Sequence, residues 1–361
     1  MTVQPLFEPF RCKRLVLQNC FVIDPTARSG SPQGLPAQDV ASLYRRRGDY
    51  EAGLILSEGA AINRPAAACD PGVPHFYGEA PLAAWQQIHD SVVRAGGVMA
   101  PQLWHMGNAP PHASGWAPPA PYEGPSNRYG PNPGQQGGVA MDERALTATI
   151  DAYAQAAQEA QKLGFAGVQI HAAHGFLLDQ FFWHVTNDRT DRFGGKTLAE
   201  RSRFAAEVVG AVRRATSRDF TLILRLSQGK PAAPQARLAA TCTEMEQWLT
   251  PLVRAGVDIL HCAQSHWQKP EFAGSPLNFA GWAKKITDLP VITSGAVGLA
   301  PKPHEELEDL VHRKERGEFD LVALDDVLNQ DPLWVSHLKH GALGAPAAVD
   351  LRAQGSIHRV I

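Results

Sequence analysis

Eight short apolar runs, each followed by a segment of helical periodicity, constrain this chain more than any other feature. The runs span residues 21–24, 53–58, 98–104, 167–171, 221–226, 259–262, 290–294 and 321–324. They are rich in β-branched residues and nearly continuous in apolarity, as strands buried on both faces are. Helical segments follow at 39–52, 81–95, 142–163, 198–215, 242–255, 278–287, 304–316 and 331–340. In the clearest, Leu146, Ile150, Tyr153, Ala154, Ala157 and Ala160 fall near one stripe. A β-strand followed by a helix, eight times over, predicts an α/β fold of the (β/α)8 TIM-barrel type. The competing open doubly wound sheet loses ground because no GxGxxG follows any run. The 361 residues suit one barrel domain over 1–361, with a hairpin cap formed by residues 5–20. A Pro/Gly-rich loop at about 109–138 follows the third run and a similar one, 231–240, follows the fifth. Barrel loops of that length sit at the C-terminal face and build active sites.

Bulk properties narrow the function by exclusion. With 34 basic against 36 acidic residues the net charge is -2, which gives no footprint for nucleic acid or an anionic membrane. No apolar run reaches the ~18 residues of a membrane span, and the first fourteen residues lack a signal peptide's apolar stretch. Cys12, Cys20, Cys69, Cys242 and Cys262 are scattered and form no CxxC pair. Free thiols in a cytoplasmic protein, and no zinc site, are the expectation.

Polar residues at the strand ends are the catalytic candidates of a barrel. Gln102, Trp104 and His105 end the third run; His171 and His174 end the fourth; Arg225 and Ser227 the fifth. His261, Gln264, Ser265 and His266 follow the sixth, Ser294 and Gly295 the seventh, Asp325 and Asp326 the eighth. A single barrel histidine is most often a structural hydrogen-bonder, but several on one face with a glutamine and an arginine form a candidate site. A metal hydrolase would carry HxH after the first run, where Asp24-Pro25-Thr26 stands instead. A Schiff-base aldolase needs a strand lysine, and no run carries one.

Longer motifs then become recognisable. They include Gln102-Leu103-Trp104-His105-Met106-Gly107, the block from Gly164 through His171-Ala172-Ala173-His174-Gly175-Phe176 to Phe182, and Asn187 to Gly195. With Leu6-Phe7-Glu8-Pro9 and Val291 to Gly295, they make the chain resemble the old yellow enzyme family of FMN-dependent oxidoreductases. The resemblance covers nearly the whole chain. It implies FMN at the top of the barrel, NADH or NADPH as reductant, and a small activated alkene or cyclic enone as substrate; homodimers are common in the family. It places Gln102 on the pyrimidine edge of the flavin, Arg225 near N1 and C2=O, and Pro25 and Ala60 along the ring. His171 and His174 match the pair that grips the substrate oxygen. Ser294 and Gly295 lie where backbone amides can cradle the phosphate.

Three positions depart from the family pattern. The proton-donating tyrosine is Phe176, so Tyr122, Tyr129 or water must replace it, or the reaction is isomerisation or desaturation. The Gly-Arg that anchors the phosphate is Asp325-Asp326. The segment along the flavin is Asp24-Pro25-Thr26-Ala27, with Ala27 at the flavin-tuning threonine and a new charge at Asp24. The alternative reading is a barrel that has lost FMN and performs redox-neutral isomerase or lyase chemistry, or only binds a ligand.

Overall fold

The apolar runs become strands because both of their faces are covered. The computed structural model describes residues 2–108, 116–132, 137–233 and 235–343. Its strands are β1 (Phe10–Cys12), β2 (Leu15–Leu17), β3 (Phe21–Ile23), β4 (Leu54–Ala61), β5 (Met99–Trp104) and β6 (Glu123–Gly124). They continue as β7 (Val139–Ala140), β8 (Gly167–Ala172), β9 (Thr221–Ser227), β10 (Ile259–Ala263), β11 (Val291–Ser294) and β12 (Leu321–Leu324). Eight close a parallel barrel in the order β3-β4-β5-β8-β9-β10-β11-β12, the last returning to the first through Val322↔Phe21 and Leu324↔Ile23. Every residue of β5, β8, β9, β10, β11 and β12 is buried. This is the expected (β/α)8 barrel, with strand bounds within a few residues of the sequence reading.

Helices cover the outside, and their starts follow capping chemistry. The Asp142 carboxylate accepts the Ala145 N–H at 2.7 Å to open the helix Glu143–Lys162. Thr241 and Asn278 do the same for Cys242–Ala255 and Phe279–Thr287. The segment expected as one helix over 198–215 is divided at Ser202 into Leu198–Arg201 and Arg203–Ala215. The Ser202 hydroxyl donates to the Leu198 carbonyl at 2.7 Å, which already accepts the Ser202 N–H. Such back-bonding bends helices.

β1 and β2 pair as a hairpin against the start of β9, where the Thr221 hydroxyl donates to the Cys12 carbonyl at 3.1 Å. Leu6, Leu15 and Leu17 bury their side chains in the core beneath the barrel. At the opposite end, parts of the 109–138 loop lie outside the described residues. The parts described are pinned down. Arg64 holds Glu123 through both carboxylate oxygens at 2.7 Å, and Asn108 bonds the Ser126 carbonyl and accepts the Gly138 N–H.

Candidate active site

A chain of polar contacts crosses the barrel near the C-terminal ends of its strands. The Gln102 amide donates to Gln169 Oε1 at 2.7 Å, and Gln169 Nε2 donates to His261 Nδ1 at 2.8 Å. The His261 proton therefore sits on Nε2, which faces Asp24 Oδ1 at 3.5 Å. Asp24 Oδ2 accepts from Arg225 Nη2 at 2.7 Å. β5, β8, β10 and β9 each contribute one member and Asp24 follows the end of β3, all of them buried. Burial pushes the Asp24 carboxyl up to about 7, against the pull of Arg225 and with the help of Asp325. Asp24 Oδ1, His261 Nε2 and Arg225 Nε make no hydrogen bond within the described residues. A buried polar atom left that way costs about 1–3 kcal/mol, so this layer is suited to a ligand that supplies the missing partners.

His171 lies on β8 and its Nδ1 accepts the Ala173 N–H at 3.3 Å, leaving the proton on Nε2. His174 follows in a left-handed turn, φ 60°, continued by Gly175 at φ 77°. Its backbone N–H is fixed by the Ser227 hydroxyl at 2.9 Å. The two rings stand 5.4 Å apart at 90°. Burial first, then neighbouring positive charge, holds both imidazoles well below their ordinary titration range. They are neutral hydrogen-bond donors at pH 7. The Phe176 ring completes the wall, edge-on to Trp104 and to His171, each at 5.0 Å.

An open cleft leads outward from His174 and Ser227, lined by Tyr129, Gln228, Lys230, Arg237, Gln264 and Glu271. One wall is fixed by Glu271, which accepts from Gln228 at 2.8 Å, from Gln264 at 3.2 Å and from Arg237. Lys230 and Asp179 form an ion pair buried beneath Tyr129. Tyr122 lies near Cys69. Of the two tyrosines expected to stand in for Phe176, Tyr129 lines the cleft with His174.

The remaining expected residues fall around this centre. Ala60 is buried on β4 and Ser294 on β11, Pro25 and Thr26 are half-buried, and Ala27 is exposed. Thr26 Oγ1 donates to Asp325 Oδ1 at 3.0 Å, and the exposed Asp326 accepts from Asn329 at 3.4 Å. Gly295 has φ 127°, and a Cβ there would lie 2.2 Å from the Gln264 carbonyl. Two strand-end candidates have partners inside the protein. His105 Nδ1 accepts the Gly107 N–H and its Nε2 meets Glu123 at 3.2 Å. Arg225 Nη2 donates to Asp24 Oδ2 at 2.7 Å. Gln169, Lys230 and Asp179 were missed as site members, because nothing in their local pattern separates them from core or surface residues.

The model of the NADH:flavin oxidoreductase / NADH oxidase family matches residues 5–343. The chain belongs to this family. It is 34% identical over 228 residues to 12-oxophytodienoate reductase 7 of Oryza sativa subsp. japonica, covering 60% of this chain and 56% of the rice protein. It is 30% identical over 278 residues to the probable inactive reductase easA of Epichloe festucae var. lolii, covering 75% of this chain and 71% of that one. Among solved structures, morphinone reductase in complex with tetrahydroNAD superposes with a TM-score of 0.76 at 25% identity, over 95% of this chain and 93% of that one. The match to the rice protein thus spans little more than half of its length. FMN and a nicotinamide reductant are the cofactors that go with NADH:flavin oxidoreductases.

The ring end of the site fits an isoalloxazine. Gln102 and Arg225 would hold its polar edge through amide and guanidinium groups, and Arg225 Nε has no hydrogen bond among the described residues. The far end, at β12, presents carboxylates.

Proposed function

We propose that this protein is an FMN-dependent oxidoreductase that reduces a small activated alkene or cyclic enone, forms one from its saturated counterpart by desaturation, or isomerises its double bond. The observation that carries the reading is the His171–His174 pair. Two neutral, buried imidazoles stand beside Arg225 at the strand ends of an NADH:flavin oxidoreductase. FMN, when bound, would supply hydride exchange at the β-carbon of such an alkene, and in net reduction NADH or NADPH would supply the two electrons. The two histidines donate hydrogen bonds to the substrate oxygen and stabilise the charge that develops there. In a buried site such donors are worth far more than in water. Gln102 and Arg225 orient the ring edge, while Trp104 and Phe176 exclude water from one wall.

Phe176 has no transferable proton. Tyr129 takes that part in our reading, since its hydroxyl lies 4.0 Å from where a Cβ on Gly175 would stand and it shares the cleft with His174. Burial and the charge of Asp179 keep it protonated. A second reading, a flavin-free barrel using the same histidines for redox-neutral chemistry, is favoured by Asp325 and Asp326.

Steady-state reduction of 2-cyclohexenone tests the first reading. Removing either donor, by His171→Ala or His174→Ala, should lower kcat/KM at least tenfold, the equivalent of about 1.4 kcal/mol. Phe176→Tyr should change the rate of net reduction by less than about tenfold, because Tyr129 already acts as the positioned general acid, a part worth about 10²-fold or more. Tyr129→Phe should lower that rate. Rates unmoved by both histidine substitutions would remove the site from the chemistry.

A further inference from the structure

Barrels of this class commonly bind phosphate in the loops after the seventh and eighth strands, at the start of a short extra helix. Both parts are present here. After β11 the chain turns through Gly295 and Ala296, left-handed at φ 127° and 52°, and after β12 comes the short helix Val327–Gln330. The two residues entering that helix are Asp325 and Asp326, so the place a phosphate takes carries carboxylates.

Their setting reinforces the sign of the charge. Asp325 is tied to Thr26 and lies close enough to Asp24 to disfavour its ionisation. Asp24, Glu58 and Asp325 line one small cavity together with Arg28 and Arg47. Asp24 pairs with Arg225, so Glu58 and Asp325 are left facing Arg28 and Arg47, and the cavity holds no surplus cation for a phosphate. The ring end, by contrast, retains its donors.

Resting on the flavin reading above, we propose that this barrel recognises its flavin through the ring and ribityl chain and gains nothing from the terminal phosphate. Riboflavin then binds at least as tightly as FMN. The phosphate brings a charge of roughly −1.5 to −2 next to the β12 carboxylates, and like charges at short range repel.

The test is a fluorescence titration of the flavin-stripped protein with FMN and, separately, with riboflavin. It is run at about 0.01 M and about 1 M salt, where the screening length falls from roughly 30 Å to roughly 3 Å. The expected Kd for riboflavin equals or lies below that for FMN. Salt should tighten FMN and leave riboflavin unmoved. The double substitution Asp325→Gly, Asp326→Arg should tighten FMN at least tenfold with no gain for riboflavin. Tenfold tighter binding of FMN than of riboflavin by the unsubstituted protein overturns the inference and leaves the flavin reading intact. Binding of neither flavin overturns both.

Discussion

Asp24 and Arg225 meet at 2.7 Å in the middle of the candidate site, and both are buried. The charge at Asp24 is plain in the sequence; its partner is not, because 201 residues separate the two. The same holds for Gln169 and His261, which join Gln102 to Asp24 across strands remote in sequence. Motif reading found the histidines and the substitution at Phe176, since those lie within one contiguous block. It could not find a network made of lateral contacts. Asp24 also makes a pH prediction. Its folded pKa of about 7 lies above the ordinary 3.8, so folding binds a proton that the unfolded chain releases. The stability associated with that proton is complete below about pH 4 and is lost as pH rises through about 7. Asp24→Asn cannot lose it. Chemical denaturation at several pH values should show the variant gaining on the parent protein as pH rises from about 4 to about 7. A difference that stays flat across that window would mean that Asp24 is ionised throughout in the folded protein.

At the scale of elements, the turn after β8 aims the site. His174 and Gly175 are both left-handed, and only glycine adopts that conformation freely. A Cβ on Gly175 would have room, with Pro231 at 3.5 Å, so Gly175→Ala should cost only the backbone term of about 1–2 kcal/mol. Gly167 differs. A Cβ there would lie 2.4 Å from the Thr221 carbonyl, forcing β8 from β9 along their paired register. Gly167→Ala should therefore lose more stability than Gly175→Ala in thermal melts; the reverse order would mean that the β8–β9 seam yields easily. Strands and helices were legible because apolar runs and 3.6-residue periodicity are local signals. The break at Ser202 was not, since a single hydroxyl competing for one carbonyl leaves the hydrophobic stripe unchanged.

For the whole molecule, the eight-fold alternation already implies the barrel, because a parallel sheet needs both faces covered and closure removes its edges. What it could not convey is how the side chains at the mouth meet one another. The family's fold is in place, and His171, His174 and Gln102 stand at its strand ends among Asp24, Phe176, Asp325 and Asp326, which set the charge and the apolar wall around them. The hairpin tests the scaffold independently of the site. Leu15 is fully buried beneath the barrel, and Leu15→Ala should cost about 2–5 kcal/mol in denaturant unfolding without changing affinity for a flavin. An affinity that fell in parallel would mean that the two ends of the barrel are coupled.

The central claim, a flavin enzyme with an altered mouth, is tested most directly by absorbance of the purified protein. It is mixed with excess FMN, freed of unbound cofactor, and then given NADH or NADPH without oxygen. The account predicts a yellow protein whose flavin band bleaches with the nicotinamide and returns with 2-cyclohexenone. A protein that emerges colourless after exposure to FMN and to riboflavin alike would contradict it.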